Sequence, residues 1–351
     1  MGGGAGPALA LLTSGRIGGM RAAYVDALGD AGSIRYGELP DPVPGPGQVL
    51  VRVEAVAVDT VDTFVRSGRW STEVAFPLVV GRDLVGTVVE GGPGVPDVRA
   101  GRRVWTNSAG YGGRPGATAE LVAVDHDRLY DLPEGADPVA FVAAVHPGAT
   151  AHGVLLDRAR LRSGETVAVV GANGAVGMCL VQVAARSGAD AVAVVRSGAA
   201  TARLRELGAR QVVVAEGAEA AAAAADATPR GIDVYVDTTG QADIAAVPDR
   251  LNPRGRIVLV AGRGRFDLDR WRFYVREIQL LGFIMSAMTG PELAGAARWI
   301  NASHPQHPLA VSVGKVLGFA EAGRAHAVLE AGALPRMPDG TVGRLVLRPE
   351  R

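Results

Sequence analysis

From about residue 145 to residue 284, the chain alternates short, almost unbroken apolar runs with glycine turns and helical segments. Runs of this kind are typical of strands that are buried on both faces of a parallel sheet. Their spacing is that of successive βαβ units, so we predict an α/β fold with a doubly wound parallel sheet. The alanine-rich stretch 217–228 lies between two runs and predicts a crossover helix, because alanine has the highest helix propensity. The predicted strands are residues 166–171, 191–195, 211–215, 232–237, 256–262 and 278–284.

The preceding part of the chain, residues 20–144, has a different pattern. It predicts a mostly β unit with irregular turns, because it consists of short β-rich runs separated by glycine and proline, as in 49–58, 78–90 and 117–124. The late run 343–347 also predicts a strand, and because it has no βαβ partner we expect it to return to this unit. Pro291 follows a capping signal and predicts the start of a helix. We predict that residues 1–19 are a disordered extension.

Length, charge and cysteine content exclude several classes of protein. The 351 residues are enough for two domains of about 150 residues each. Lys plus Arg and Asp plus Glu number 36 each, so no broad cationic field exists for nucleic acid or an anionic membrane, and we predict neither as a partner. No apolar run approaches the ~18 residues of a membrane span. The single cysteine, Cys179, excludes an internal disulfide and a multi-cysteine zinc cluster, and predicts a reducing, cytoplasmic location.

The sequence GANGAVG, residues 171–177, stands directly after a predicted strand and before a predicted helix. Such a turn lets the backbone approach a pyrophosphate, and the helix N-terminus then offers free N–H groups and a positive dipole end. The turn therefore predicts a dinucleotide site, with a merely tight structural turn as the alternative, since Ala172 departs from the usual glycine pattern. The predicted cofactor-binding residues of the turn are Gly171, Asn173, Gly174, Ala175, Val176 and Gly177.

The end of the second predicted strand indicates which dinucleotide binds. NAD-binding proteins carry an acidic residue there for the ribose 2′-hydroxyl, whereas this chain has Arg196 and Ser197. A guanidinium beside a hydroxyl suits a 2′-phosphate. We therefore predict NADPH in preference to NADH, the alternative being that Arg196 is one more solvated arginine.

Several segments, taken in order with the glycine turn and the late strand, resemble one family. They are PGPGQVLVRVEAVAV (44–58), VDTFVRSGRW (61–70), FPLVVGRDLVGTVVEGGPGV (76–95), AGRRV (100–104) and HPGATAHGVL (146–155). Together they resemble the medium-chain dehydrogenase/reductase superfamily, and within it the zinc-free quinone oxidoreductase branch. The resemblance implies a GroES-like, mostly β catalytic domain made of residues 20–144 and 285–351. It also implies a Rossmann domain at 145–284, NADPH in the cleft between the two, and a homodimer.

The resemblance also bears on zinc. Zinc-dependent relatives place Cys, His and Cys at the positions occupied here by Asp59, Arg82 and His146. Arg82 is a permanent cation and no thiolate is available, so we predict no catalytic zinc.

Further site residues follow from alignment with the quinone oxidoreductases. Asp59 replaces an Asn that touches the nicotinamide ribose, and Thr150 occupies a position that contacts the nicotinamide amide. Ala200 replaces a lysine for the 2′-phosphate, so Arg203 joins Arg196 as its substitute. The strand end Val260, Ala261 and Gly262 matches the segment that flanks the ring. For the substrate pocket the aligned aromatic residues are Phe64 and Trp70, and Asn107 and Tyr111 are added from their position in a glycine-rich loop.

Without a Lewis acid, a conjugated acceptor is easier to reduce than a simple carbonyl. We therefore predict hydride transfer from NADPH to a small-molecule acceptor, a quinone or an α,β-unsaturated carbonyl, with Asp59 as the candidate acid; the alternative role of Asp59 is a hydrogen bond to the cofactor ribose. Two other functions remain open at this point. One is a biosynthetic reductase of enoyl thioesters, and the other is a protein that binds NADPH without turnover.

Overall fold

The computed structural model of the chain describes residues 19–96 and 99–350. Apart from Gly19, the predicted extension 1–19 lies outside the described residues. The strands, in chain order, are β1 (Met20–Val25), β2 (Arg35–Leu39), β3 (Gln48–Ala57), β4 (Leu78–Val79), β5 (Asp83–Gly91), β6 (Arg103–Thr106), β7 (Leu121–Asp125), β8 (Tyr130–Asp131), β9 (Thr166–Val170), β10 (Asp190–Val195), β11 (Ala209–Val214), β12 (Ile232–Asp237), β13 (Leu251–Leu259), β14 (Gln279–Gly282), β15 (Val313–Gly318) and β16 (Arg344–Arg348). The α-helices are α1 (Thr60–Arg66), α2 (Pro138–His152), α3 (Ala175–Arg186), α4 (Thr201–Glu206), α5 (Glu219–Asp226), α6 (Arg270–Tyr274), α7 (Gly290–Ser303) and α8 (Ala322–Glu330).

The strands β9 to β14 form a parallel sheet in the order β11-β10-β9-β12-β13-β14. This is the strand order of the doubly wound dinucleotide-binding fold, so the predicted fold class is confirmed. Both faces of the sheet are covered. In β9, Val167 and Val169 join one hydrophobic cluster while Ala168 and Val170 join another, and for this reason the strand reads as a continuous apolar run.

One strand of the parallel sheet differs from its predicted bounds by more than two residues, and the others agree within two. The strand β13 begins at Leu251 rather than at residue 256, and it ends at Leu259. Pro253 and Gly255 look like turn residues in the sequence. In the structure Arg254 takes a φ of 65°, and the pairing with β12 shifts register across this point, so the strand continues through the irregularity.

The mostly β unit is held together by the late strand. Its main sheet has the order β15-β16-β3-β5-β6-β8, with β7 also paired to β3, and β1 lies between β2 and β4 in a smaller sheet. The strand β16 runs antiparallel to β3, with Val346 opposite Ala57. The expectation that 343–347 returns to this unit is therefore confirmed. This return also places the start of β16 beside the start of α1.

Two helices connect the parts of the chain. Contrary to the expectation from the sequence, one segment, Pro138–Arg158, which is α2 with its π-helical extension, is long and apolar enough to span a membrane, but most of it is buried inside the protein. It packs as a core helix against α3, β3 and α7. The helix α7 begins with the predicted capping residues, since Thr289 and Glu292 form a capping box.

The helix α7 also bears on the predicted domain boundary at residue 285. Its buried residues Leu293, Ala296 and Ile300 belong to the same hydrophobic cluster as α2 and α3. Asn301 of α7 also bonds Trp105 and Asp131 of the mostly β unit. The division of the chain at residue 285 therefore stays a prediction, because α7 contacts both units.

Candidate active site

A cleft of about 680 Å³ lies between the carboxyl ends of the parallel strands and the mostly β unit. Ligand sites of open α/β sheets lie at this edge, and the volume is in the range of small-molecule sites. Thr238 after β12, residues 260–263 after β13 and residues 283–286 after β14 form one wall. The opposite wall and the floor come from other elements, with residues 58–61, Phe64, Trp70, His146, Thr150 and 342–344.

The glycine turn opens into this cleft. Gly171 has a φ of 78°, and a Cβ at Gly177 would lie 2.3 Å from the carbonyl oxygen of Gly171, so both positions require glycine. Gly174 caps α3, and the N–H groups of residues 175–177 belong to the first turn, where no helical carbonyl is available. Because Gly174, Ala175, Val176 and Gly177 line the cleft, the turn fits the phosphates of a dinucleotide.

The remaining predicted cofactor residues lie at three places: in the lining of the cleft, after β10, and in the glycine turn itself. Thr150, Val260, Ala261 and Gly262 line the cleft, as predicted for residues around a nicotinamide ring. Arg196 and Ser197 are exposed directly after β10. Arg203 is one turn further on and donates to Glu206 at 3.1 Å. Asn173 contributes mainly to the fold, because its side chain donates to Gly340 at 3.2 Å and its carbonyl accepts from Val342.

The predicted pocket residues divide into two groups. Phe64 and Trp70 line the cleft, and the guanidinium groups of Arg69 and Arg263 lie 5.2 and 5.8 Å from the Phe64 ring. Asn107 and Tyr111 are not among the residues that form the cleft wall. Tyr111 packs edge-on against Trp70, with ring centres 6.5 Å apart.

The loop that holds Asn107 and Tyr111 is pinned rather than free. Ala109 donates to the carbonyl of Arg82, and the Arg114 side chain donates to the carbonyl of Ser108. These bonds direct the loop behind the cleft wall. Asn107 itself is buried.

The floor of the cleft is a buried cluster of charged groups. Asp59 and Arg344 line the cleft and form an ion pair, with Asp59 Oδ1 2.9 Å from Arg344 Nη1. Asp62 Oδ2 accepts the backbone N–H of Asp59 at 2.9 Å, and Asp62 Oδ1 lies 3.9 Å from Arg82 Nε. Arg82 also donates to Ser286 Oγ at 2.7 Å.

Next to Asp59 lie two further titratable groups, His146, which also lines the cleft, and Asp83, which does not. One oxygen of Asp59, one of Asp83 and a ring nitrogen of His146 all lie within 4.8 Å of one another. His146 Nδ1 is 3.4 Å from Asp83 Oδ1. Within the described part of the chain, Asp59 Oδ2, both Asp83 oxygens and His146 Nδ1 have no hydrogen-bond partner.

The protonation states of the cluster follow from burial and charge. Burial opposes ionisation of Asp59, but the Arg344 guanidinium outweighs it and holds the pKa of Asp59 below its usual range. Burial and the charge of Asp59 raise the pKa of Asp83 well above its usual range and the pKa of Asp62 to about 7. Burial lowers the pKa of His146 to about 4, so the imidazole is neutral at pH 7.

The donor set on the floor lacks the thiolates of a Cys2His type of catalytic zinc site, although Asp59, Asp83 and His146 lie close enough together to hold a metal ion. Zinc sites of this class use thiolate and imidazole ligands, and the only cysteine, Cys179, has a thiol whose pKa burial raises to about 12. The Arg344 guanidinium already bonds the carboxylate of Asp59, and Arg82 cannot ligate a metal. Two fixed positive charges therefore face the space that a divalent cation would need.

Sequence reasoning missed Asp62, Asp83 and Arg344 as site residues. The available signal was an ionisable residue inside an apolar strand, as in VVGRDLVG and GRLVL. Charged residues at such positions are almost never fully buried unless they are paired. The pairing itself joins residues far apart in the chain, so the sequence did not show it.

Comparison with known proteins gives a family match for each of the two parts of the chain. Residues 45–134 match the family described as "Alcohol dehydrogenase GroES-like domain", and residues 175–302 match "Zinc-binding dehydrogenase". The quinone oxidoreductase of Mus musculus is 28% identical over 309 residues, which is 87% of this chain and 90% of that protein.

Two solved structures are similar over nearly the whole chain. A mycobacterial quinone oxidoreductase is 30% identical with a TM-score of 0.78, over 94% of this chain and 100% of that one. A mycobacterial protein complexed with NADPH is 28% identical with a TM-score of 0.77, over the same shares of the two chains.

The fold and the cleft define a two-domain oxidoreductase with a GroES-like unit packed on a Rossmann unit. The chain belongs to the medium-chain dehydrogenase/reductase superfamily, in its quinone oxidoreductase branch.

Proposed function

We propose that this protein is an NADPH-dependent reductase that transfers hydride, without a metal, to a quinone or to the β-carbon of an α,β-unsaturated carbonyl. The observation that carries the proposal is the shared cleft. The glycine turn, an apolar wall and a buried carboxylate on the floor all meet there. The mycobacterial relative complexed with NADPH supports the choice of cofactor.

When bound, the nicotinamide supplies the hydride. Thr150 and residues 260–262 would hold the ring, and the N–H groups of residues 175–177 would bind the phosphates. The side chains of Phe64, Trp70 and Phe283 would exclude water and hold the acceptor close, so that proximity supplies much of the rate. A conjugated acceptor delocalises the developing charge and therefore needs less polarisation than a simple ketone.

An acceptor panel tests the proposed function. Purified protein would be titrated with NADPH by fluorescence and then assayed for NADPH oxidation with quinones, enones and enoyl thioesters. We expect turnover with a quinone or an enone that a chelator does not reduce. Turnover with enoyl thioesters alone would favour a biosynthetic reductase, and binding without any turnover would favour a non-catalytic role. Stoichiometric zinc in elemental analysis would contradict the metal-free mechanism.

The choice of NADPH gives a prediction at Arg196. The change Arg196→Asp replaces a cation beside the expected 2′-phosphate by an anion that repels it. We expect the Michaelis constant for NADPH to rise by about tenfold or more, which is 1.4 kcal/mol of binding, with little change for NADH. Arg205→Asp, an exposed position on the next helix, is the matched control. An unchanged cofactor preference in the Arg196 variant would refute its role, and Arg203→Asp would then be tested in the same way.

We also propose that the protein is a cytoplasmic homodimer. In support, β14 lies at the edge of the parallel sheet, where its outer backbone groups can pair with another strand. Next to it, an exposed apolar patch surrounds α6, and large patches of this kind mark interaction sites. The patch consists of Phe266, Leu268, Trp271, Tyr274 and Val275.

The change Trp271→Glu tests the dimer. The indole is 64% exposed and packs edge-on against Tyr274, so a buried glutamate at the interface would cost its desolvation. We expect light scattering to give a dimer for the wild type and a monomer for the variant, with cofactor binding retained. Val43→Glu, at a site on the other unit that is 85% exposed, should leave the dimer intact. A monomeric wild type would contradict the proposal.

A further inference from the structure

The floor of the cleft gathers ionisable groups from elements that are far apart in the chain. Asp59 and Asp62 lie at the start of α1, and Arg82 and Asp83 at the start of β5. From the other elements come His146 on α2, Arg344 on β16 and the Cys179 thiol on α3. Among the described residues, Tyr111 also faces the cluster, with its ring centre 5.2 Å from the Arg82 guanidinium. Asp59, Asp83 and Arg82 are all at least 95% buried.

A charge count shows that this cluster holds a proton. It contains three carboxyl groups, those of Asp59, Asp62 and Asp83, and two guanidinium groups, those of Arg82 and Arg344. With the imidazole and the thiol neutral, three negative and two positive charges leave one negative charge in excess. An unpaired buried charge is expensive, and one proton on a carboxyl group removes it. A divalent cation in the same place would instead leave a buried excess of positive charge.

The contacts of the three carboxyl groups indicate which of them carries this proton. Asp59 bonds Arg344 at 2.9 Å, which holds it as a carboxylate, and Asp62 has a backbone N–H at 2.9 Å and the Arg82 guanidinium at 3.9 Å, which favour its carboxylate more than any contact of Asp83 does. Asp83 is fully buried, and in the described residues no donor group reaches either of its oxygens. Its polar neighbours are His146, whose Nδ1 lies 3.4 Å from Asp83 Oδ1 without a hydrogen bond, and Asp59, which has an oxygen within 4.8 Å. Two carboxyl groups this close cannot both be ionised, and a proton on one of them makes a hydrogen bond to the other.

We propose that Asp83 carries the shared proton and that the Asp59–Asp83 pair is the internal acid that protonates the reduced acceptor in the cleft. Asp59, which lines the cleft, is the catalytic residue, and Asp83 is a positioning residue that acts through it. The inference rests on the proposed function, because it needs an acceptor that becomes an anion in this cleft.

The step balances as follows. The hydride brings two electrons to the acceptor and forms a C–H bond at the β-carbon of an enone, which leaves an enolate. Asp59 passes a proton to the enolate, and the proton of Asp83 moves to Asp59 along the hydrogen bond between them. The acceptor is thereby reduced by two electrons and gains one hydride and one proton. The pair is left one proton short and regains it from solvent before the next turnover.

The change Asp83→Asn tests the positioning role, because an amide keeps the shape but cannot release a proton. We expect kcat with an enone to fall by about 10²-fold, the usual contribution of general acid catalysis, while the dissociation constant for NADPH stays close to that of the wild type. The wild-type kcat should decline at high pH as the pair loses its proton. That decline should be absent in the variant, whose solvent isotope effect should rise.

Asp62→Asn is the comparison variant, since it leaves both members of the pair in place but removes the carboxylate that accepts the Asp59 N–H and whose charge raises the pKa of Asp83. The high-pH decline of kcat should therefore remain but move to lower pH. The proposal would be overturned if the Asp83→Asn variant had the same pH profile and the same kcat as the wild type.

If the Asp83→Asn variant does not fold, a measurement on the wild-type protein tests the shared proton instead. Infrared difference spectra of the wild type, recorded across the same pH range in H2O and D2O, should show the carbonyl band of one protonated carboxylic acid that persists at neutral pH. Absence of that band would overturn the shared proton. The two proposals fail differently: a wild type that neither binds nor oxidises NADPH refutes the function, whereas an active wild type without the band refutes only the acid.

Discussion

Replacing Gly177 by alanine should weaken cofactor binding and destabilise the protein. The new Cβ would lie 2.3 Å from the Gly171 carbonyl oxygen and 2.6 Å from Ala172 Cα, and both are backbone atoms that cannot rotate away. The turn would have to open, which we expect to cost about 1–3 kcal/mol of unfolding free energy. The dissociation constant for NADPH should rise by about tenfold or more. Chemical denaturation and fluorescence titration measure the two effects.

Gly174→Ala is the informative counterpart. A Cβ there meets one backbone atom, at 3.4 Å, and Gly174 has an ordinary φ of −83°, so the protein should fold normally. The same Cβ would stand on the cleft side of the turn, where the phosphates of a dinucleotide are expected. We therefore expect weakened NADPH binding with unchanged stability. Normal binding by both variants would show that the turn is structural and holds no phosphate.

Replacing Arg344 by methionine should cause the largest loss of stability. The Arg344 side chain is about one-tenth exposed and forms the 2.9 Å ion pair with Asp59. Its removal leaves three buried carboxyl groups facing a single guanidinium, that of Arg82. Breaking a buried pair by removing one partner costs about 3–5 kcal/mol, because the remaining charge is uncompensated. Urea denaturation of the purified variant measures the loss.

Two further variants separate this effect from loss of side-chain packing. Arg348→Met, at an exposed position on the same strand, should change stability by no more than about 0.5 kcal/mol. Adding Asp59→Asn to Arg344→Met removes the uncompensated charge. The double variant should therefore lose less unfolding free energy than the sum of the losses in the two single variants. Strict additivity would contradict a direct coupling between Asp59 and Arg344.

Much of the cofactor domain was predictable because its signals are local. A strand buried on both faces must be apolar throughout, and a turn with a positive φ and a close backbone approach must use glycine at Gly171 and Gly177. The helix after Pro291 was predictable for the same reason, since a capping box is contained in four residues. The strand β13 shows the limit of such signals. The turn-like residues Pro253 and Gly255 were tolerated because neighbouring strands continue the pairing on both sides.

The pocket shows the other limit. Asn107 and Tyr111 were assigned from their position in a flexible loop, and hydrogen bonds from the loop to Arg82 and from Arg114 determine where they lie, with Asn107 buried and Tyr111 against the Trp70 ring. Nothing in the loop sequence itself specifies those partners.

The sequence by itself determined the doubly wound sheet, the glycine turn and the return of the last strand, because periodicity and turn chemistry act over a few residues. Only the tertiary structure decided the floor of the cleft. There the antiparallel pairing of β16 with β3 brings Arg344 to Asp59 across 285 positions of the chain, and packing of α2 brings His146 to Asp83. The charge balance of that cluster, and with it the proton we assign to Asp83, depends on which groups are buried together, and burial is a property of the packed chain.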